Sequence, residues 1–100
     1  MGGCETLSRL WGNCKNPHNP ERVVGGSTGG EGALLASRSS PIGIGTDAAG
    51  SIRIPCSFCG VFGFKPSVKR MTRLGLRDKC EIGKSDGTVE LPGTTGPMGH

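Results

Sequence analysis

The stretch "VVGGSTGGEGALLASRSSPIGIGTDAAGSIRIPCSFCG", residues 23–60, decides how this chain is read. It holds two serines framed by small residues, Ser27 and Ser51, 24 positions apart. Glycine loses much conformational entropy in regular structure and is kept where backbone bends sharply or approaches something closely. Two such places in so short a span are either two linker turns or two parts of one site.

Local patterns give the stretch a shape. Thr28-Gly29-Gly30-Glu31 fits a capping box, with Thr28 as N-cap and Glu31 reaching back to it, so a short helix of small residues is expected over 29–37. Residues 41–47, "PIGIGTD", predict a short buried strand. "AAGSIRIPCSFCG" turns again into a second short helix, with Pro55 tolerable only near its start. "VFGFKPS", residues 61–67, predicts another strand, ended where Lys65 precedes Pro66.

Outside the stretch the signals are weaker. Residues 13–22, "NCKNPHNPER", read as an exposed loop. Residues 68–88 are polar and without clear periodicity, and "GTTGPMGH" reads as a closing glycine turn.

Ser51 stands after a strand, an acidic residue, two alanines and a glycine. Successive N–H groups in such a turn can converge on one point, and donors so arranged stabilise negative charge that develops in a transition state. The candidate donors are the N–H groups of Ala48, Ala49, Gly50 and Ser51, whose small side chains let a carbonyl come near. The plain alternative is that Ser51 is a helix N-cap. Asp47 and Arg53 flank the turn and read as a carboxylate–guanidinium clasp that holds it.

Ser27 lies in "GGSTG", a formal match to the GxSxG turn of the α/β-hydrolases. That rival reading requires a strong preceding strand and a later histidine. The chain offers only Val23-Val24 before the serine and only His100 after it. No P-loop ending follows the glycines, and "GIGTDAAG" departs from GxGxxG at Ala48.

Composition narrows the classes further. One hundred residues permit at most one small domain with a thin core, and 19 glycines beside 7 prolines suggest the loops of an enzyme. The net charge of +4 is weak evidence for an acidic partner. Lys65, Lys69, Arg70, Arg73, Arg77 and Lys79 cluster without interleaved aromatics, so a solvated face is expected and nucleic acid is not. Cys56 and Cys59 have CxxC spacing, but a zinc site needs four ligands and no second pair exists; small buried thiols are expected, with no metal and no cofactor. Neither His18 nor His100 reads as a ligand or base. Reduced cysteines suit an intracellular setting, cytoplasmic or at the cytosolic face of a membrane. The N-terminus is no signal peptide, although "MGGCET" formally fits a myristoylation pattern, and no apolar run is long enough to span a bilayer.

Taken together, "GGSTGG", "GTDAAGSIRIP" and "CGVFGFKPS" in this order resemble the amidase signature family, over roughly residues 16–98. "GGEGALLAS" and "SPIGIGTD" are most similar to its fatty acid amide hydrolase branch. The resemblance implies an α/β fold, a mixed sheet core flanked by helices, of which residues 1–100 would be one incomplete part. It implies a Ser-Ser-Lys unit acting on carboxamides, fatty acid amides among them, through an acyl-enzyme. Ser51 then matches the nucleophile and Ser27 the bridging serine, with a cis bond from Gly26. Thr28 stands where many members carry a second serine. Ala48, Ala49, Gly50 and Ser51 match the oxyanion hole. The partner would be a small-molecule amide, and the longer parent could associate with a membrane. The implied lysine lies several dozen residues before the first serine. Only 26 residues precede Ser27 here, and Lys15, the sole lysine among them, does not match, so these 100 residues by themselves are expected to be inactive; the alternative of another class is a truncated, non-catalytic fragment or an interaction protein.

Overall fold

The computed structural model describes residues 4–72, 74–75 and 93–100. Two small hairpins come first. Strands β1 (Leu7–Ser8) and β2 (Gly12–Asn13) pair antiparallel, and β3 (Lys15–Asn16) pairs with β4 (Asn19–Val23). Ser8 Oγ shapes the first turn by accepting from the N–H groups of Leu10 and Trp11, both at 3.2 Å. The expected loop at 13–22 is therefore largely a hairpin. Pro17 and His18 make its turn, and the Asn16 Oδ1 accepts from the His18 N–H at 3.0 Å, a side-chain mimic of a backbone turn.

Helix α1 (Gly29–Ala36), strand β5 (Ile42–Asp47), helix α2 (Arg53–Cys59), strand β6 (Phe62–Gly63) and strand β7 (Thr94–Gly99) follow. The last three strands form one antiparallel sheet in the order β5-β7-β6. Pro55 takes the third position of α2, inside the first turn, where its missing N–H has no intrahelical acceptor to lose. Gly60 closes α2 in the left-handed region at φ 67°.

Three sequence expectations are corrected here. The closing segment is the central strand of the sheet, not a glycine turn. Pro97 is tolerated because its carbonyl accepts from the Phe64 N–H, so its missing N–H faces the side where β6 ends after two residues. The strand expected over 61–67 shrinks to Phe62–Gly63 for the same reason. The third concerns β5, whose buried residues are Gly43, Gly45 and Asp47, while Ile42 and Ile44 face outward. A Cβ at Gly45 would lie 2.8 Å from Ile52 Cγ1 and 3.0 Å from Met98 Sδ. Both helices thus press on the sheet through its glycines.

The core is Leu35 of α1, Ile52 and Cys56 beside or within α2, and Met98 of β7, with Val61 packed against them. Gly43, Gly45 and Asp47 pair with Met98, Gly96 and Thr94, so one face of the sheet receives both helices. The class is a mixture of helix and sheet, as expected. Among the described residues no helix is long and apolar enough to cross a membrane.

Candidate active site

Strand β5 ends at Asp47, and the chain must then turn through Ala48, Ala49 and Gly50 into α2. The Asp47 carboxylate, fully buried, organises that turn. Its Oδ1 accepts from the Gly50 N–H at 2.7 Å and from Arg53 Nη2 at 3.0 Å. Its Oδ2 accepts from Arg53 Nε at 2.9 Å and from the N–H groups of Ile52 and Arg53 at 3.2 and 3.3 Å. Burial by itself pushes the carboxyl up. The Arg53 guanidinium and the three backbone donors outweigh it and hold Asp47 well below the usual carboxylate range. Arg53, in turn, is pushed up by Asp47. The clasp read from the sequence is thus present, and the carboxylate also gathers backbone donors that the sequence did not reveal.

Gly50 is in the left-handed region at φ 121°, and a Cβ there would lie 2.7 Å from Ile54 Cδ1. Only glycine suits it. Its N–H was expected among the donors that face a substrate; it is turned into the Asp47 carboxylate instead, because the tight turn brings that oxygen to 2.7 Å. The N–H groups of Ala48, Ala49 and Ser51 have no acceptor assigned among the described residues.

Ser51 is half-buried and sits just before Ile52, the N-cap of α2. The N-cap alternative for Ser51 therefore falls, since Ser51 Oγ caps no helix N–H among the described residues. Ser27 is exposed at the tip of the turn between β4 and α1. The peptide bond from Gly26 to Ser27 is cis. Gly25 precedes it at φ 78°, packed so closely on Ile54 and Pro55 that a Cβ would come within 2.9 Å. The two serine turns meet directly: the Thr28 N–H donates to the Ser51 carbonyl at 3.2 Å. Thr28 Oγ1 also donates to the Thr46 carbonyl at 3.4 Å.

The capping box does not form. Thr28 is the N-cap of α1 but makes no side-chain cap, and Glu31 lies against Gly43 of β5. The Gly29 N–H is satisfied instead by Thr6 Oγ1, at 3.1 Å. Sequence reasoning also passed over Asn16 and His18. Asn16 is 3% exposed, and its Nδ2 donates to the Phe58 carbonyl at 2.9 Å and to the Val23 carbonyl at 3.3 Å. His18 Nε2 donates to the Cys59 carbonyl at 2.8 Å. The signal in the sequence is Asn16-Pro17, an amide fixed at a turn, but the helix carbonyls that Asn16 and His18 reach lie 42 and 41 residues onward and no local pattern announces them.

Cys56 and Cys59 are both buried, and burial pushes both thiols up. Lys69 and Arg70 are exposed, whereas Arg73, Arg77 and Lys79 of the basic cluster lie outside the described residues.

The amidase family model matches residues 1–91. This chain belongs to the amidase family. Fatty-acid amide hydrolase 2-A of Danio rerio is 59% identical over 64 residues, which make up 64% of this amidase chain and 12% of the relative. Amidase 2 of Gibberella moniliformis is 44% identical over 95 residues, 95% of this chain and 18% of the relative. Among solved structures, a 6-aminohexanoate cyclic dimer hydrolase superposes with a TM-score of 0.79 at 39% identity, covering 96% of this chain and 19% of that one. A fatty acid amide hydrolase gives 0.77 at 32% identity, covering 97% and 16%. This amidase chain thus spans less than a fifth of the length of each of these relatives.

Proposed function

We propose that the protein is a serine amidohydrolase that cleaves carboxamides, with Ser51 as nucleophile and Ser27 as proton relay. The observation that supports this most is the seam between the two turns, where the Thr28 N–H donates to the Ser51 carbonyl and so joins the turn that carries Ser27 to the one that carries Ser51. Ser51 Oγ attacks the carboxamide carbon. Its proton passes to Ser27 Oγ, while the proton of Ser27 passes to a neutral lysine, the base that the amidase family implies. The oxyanion accepts from the Ala48, Ala49 and Ser51 N–H groups. As the C–N bond breaks, Ser27 returns a proton to the leaving nitrogen, and ammonia or an amine departs. Water then hydrolyses the acyl-enzyme by the reverse relay. Lys15 is exposed on β3 and is not assigned the part of the base.

The kinship with fatty-acid amide hydrolases makes long-chain acyl amides the first substrates to compare with acetamide. Reaction of the whole protein, the implied lysine included, with a fluorophosphonate, followed by peptide mapping, tests the assignment. The adduct is expected on Ser51, abolished in Ser51→Ala and slowed by at least about 100-fold in Ser27→Ala. An adduct on Ser27 that survives Ser51→Ala would favour the rival nucleophile and sink this one.

A further inference from the structure

We infer that Thr6 is a positioning residue for Ser27, an inference that rests on the reading of Ser27 as the relay. The turn from Gly25 to Gly29 carries Ser27 at its exposed tip. A loop held only at its outer ends would let that hydroxyl wander, and a relay must sit within hydrogen-bond reach of both its partners. One side chain closes the base of this turn. Thr6 Oγ1 donates its proton to the Gly25 carbonyl at 2.9 Å and accepts from the Gly29 N–H at 3.1 Å. A single hydroxyl therefore replaces the cross-turn backbone bond that Gly25 and Gly29 do not make with each other.

The hydroxyl is itself held. The Cys14 N–H donates to the Thr6 carbonyl at 3.0 Å, which continues the β1–β2 ladder past Leu7 and Asn13. The contact is close: a Cβ on Gly29 would overlap Thr6 Oγ1 and come within 2.7 Å of Val24 Cγ2. Gly29 is thus a glycine because Thr6 is there. The first hairpin, which no motif of the serine region includes, reaches the proposed site through this residue. Thr6 touches neither Ser27 nor Ser51 in its hydrogen bonds, so it acts through the backbone of the turn.

Three forms of the whole protein, the implied lysine included, test this: wild type, Thr6→Val and Thr6→Ser. Valine keeps the shape and removes both hydrogen bonds; serine keeps both. Fluorophosphonate acylation of Ser51 is expected to slow by about 10-fold or more in Thr6→Val and to stay within about threefold of wild type in Thr6→Ser. Amide exchange supplies a readout that does not need catalysis. The Gly29 amide should be protected in wild type and Thr6→Ser and exposed in Thr6→Val. The Gly26 and Ser27 amide resonances should shift in the valine variant, while those of β5 and β7 stay in place. Wild-type acylation and amide resonances in Thr6→Val would overturn the inference. If wild type is not acylated at all, the proposed function fails, and the Gly29 and Ser27 amides alone decide whether Thr6 holds the turn.

Discussion

Asp47 shows how one buried side chain can shape the turn between β5 and α2. Five hydrogen bonds converge on its two oxygens, and three of them come from backbone N–H groups of the turn itself. The guanidinium of Arg53 is half in water, so its charge alone adds little. Most of the value lies in satisfying the backbone donors, which would otherwise be buried without partners. Asp47→Asn keeps the shape, loses the charge and turns an amide N–H₂ toward some of those donors. It should lower the unfolding free energy by about 2 kcal/mol. The pH dependence follows from the direction of the shift. The native carboxyl is held below the ordinary aspartate value of 3.8, so it favours the fold above that value and ceases to do so as pH falls through the native pKa. Urea denaturation at a series of pH values should show wild type losing stability below about pH 4, with a shallower loss in Asp47→Asn. Parallel curves for the two proteins would mean that Asp47 does not carry this linkage.

Helix α2 has seven residues, too few to stand on propensity, and it is held at both ends by side chains from elsewhere. Asp47 gathers its N-terminal donors, while Asn16 and His18 of the β3–β4 hairpin donate to its last carbonyls. Those carbonyls are the negative end of the helix dipole, so a carboxylate is the worst substitute for the Asn16 amide. Asn16→Asp should cost about 3 kcal/mol in urea denaturation and Asn16→Ala about 2 kcal/mol, the order being the stronger expectation. Equal losses would show that the dipole plays no part. The same contrast between local and distant partners explains what was legible. Asp47 and Arg53 could be paired from sequence because both flank one turn. The two serine turns could be found because their glycines are needed where they stand. Strand β7 was read as a turn because Gly96 and Pro97 both disfavour strands, and only its partner β5 overrides that preference. The capping box failed because the gap above Gly43 offers Glu31 another place to lie. Thr6 was invisible since its two partners belong to a turn 19 and 23 residues away.

At the scale of the whole chain, the two faces of the β5-β7-β6 sheet differ sharply. One face takes both helices and a core of four buried side chains. The other presents Ile42, Ile44, Phe62 and Phe64, which are 66, 74, 78 and 64% exposed. Ile42 and Phe62 flank the same residue, Gly99, on the central strand, and Ile44 stands opposite Pro97, so the four side chains form one patch. A soluble monomer rarely leaves such a face open to water. The stretch "PIGIGTD" reads as a buried strand because its isoleucines are apolar; among the described residues those isoleucines stay exposed, and glycines fill the buried positions. By itself the chain should therefore bind a hydrophobic dye such as anilinonaphthalene sulfonate and sediment faster as concentration rises. Replacing Ile44 and Phe62 by threonine keeps strand preference and removes apolar area from the patch. The double variant should bind less dye and sediment closer to a monomer, with the helical signal in circular dichroism unchanged. A wild-type chain that is monomeric at all concentrations and dark with the dye would show that this face is covered in solution by the chain itself.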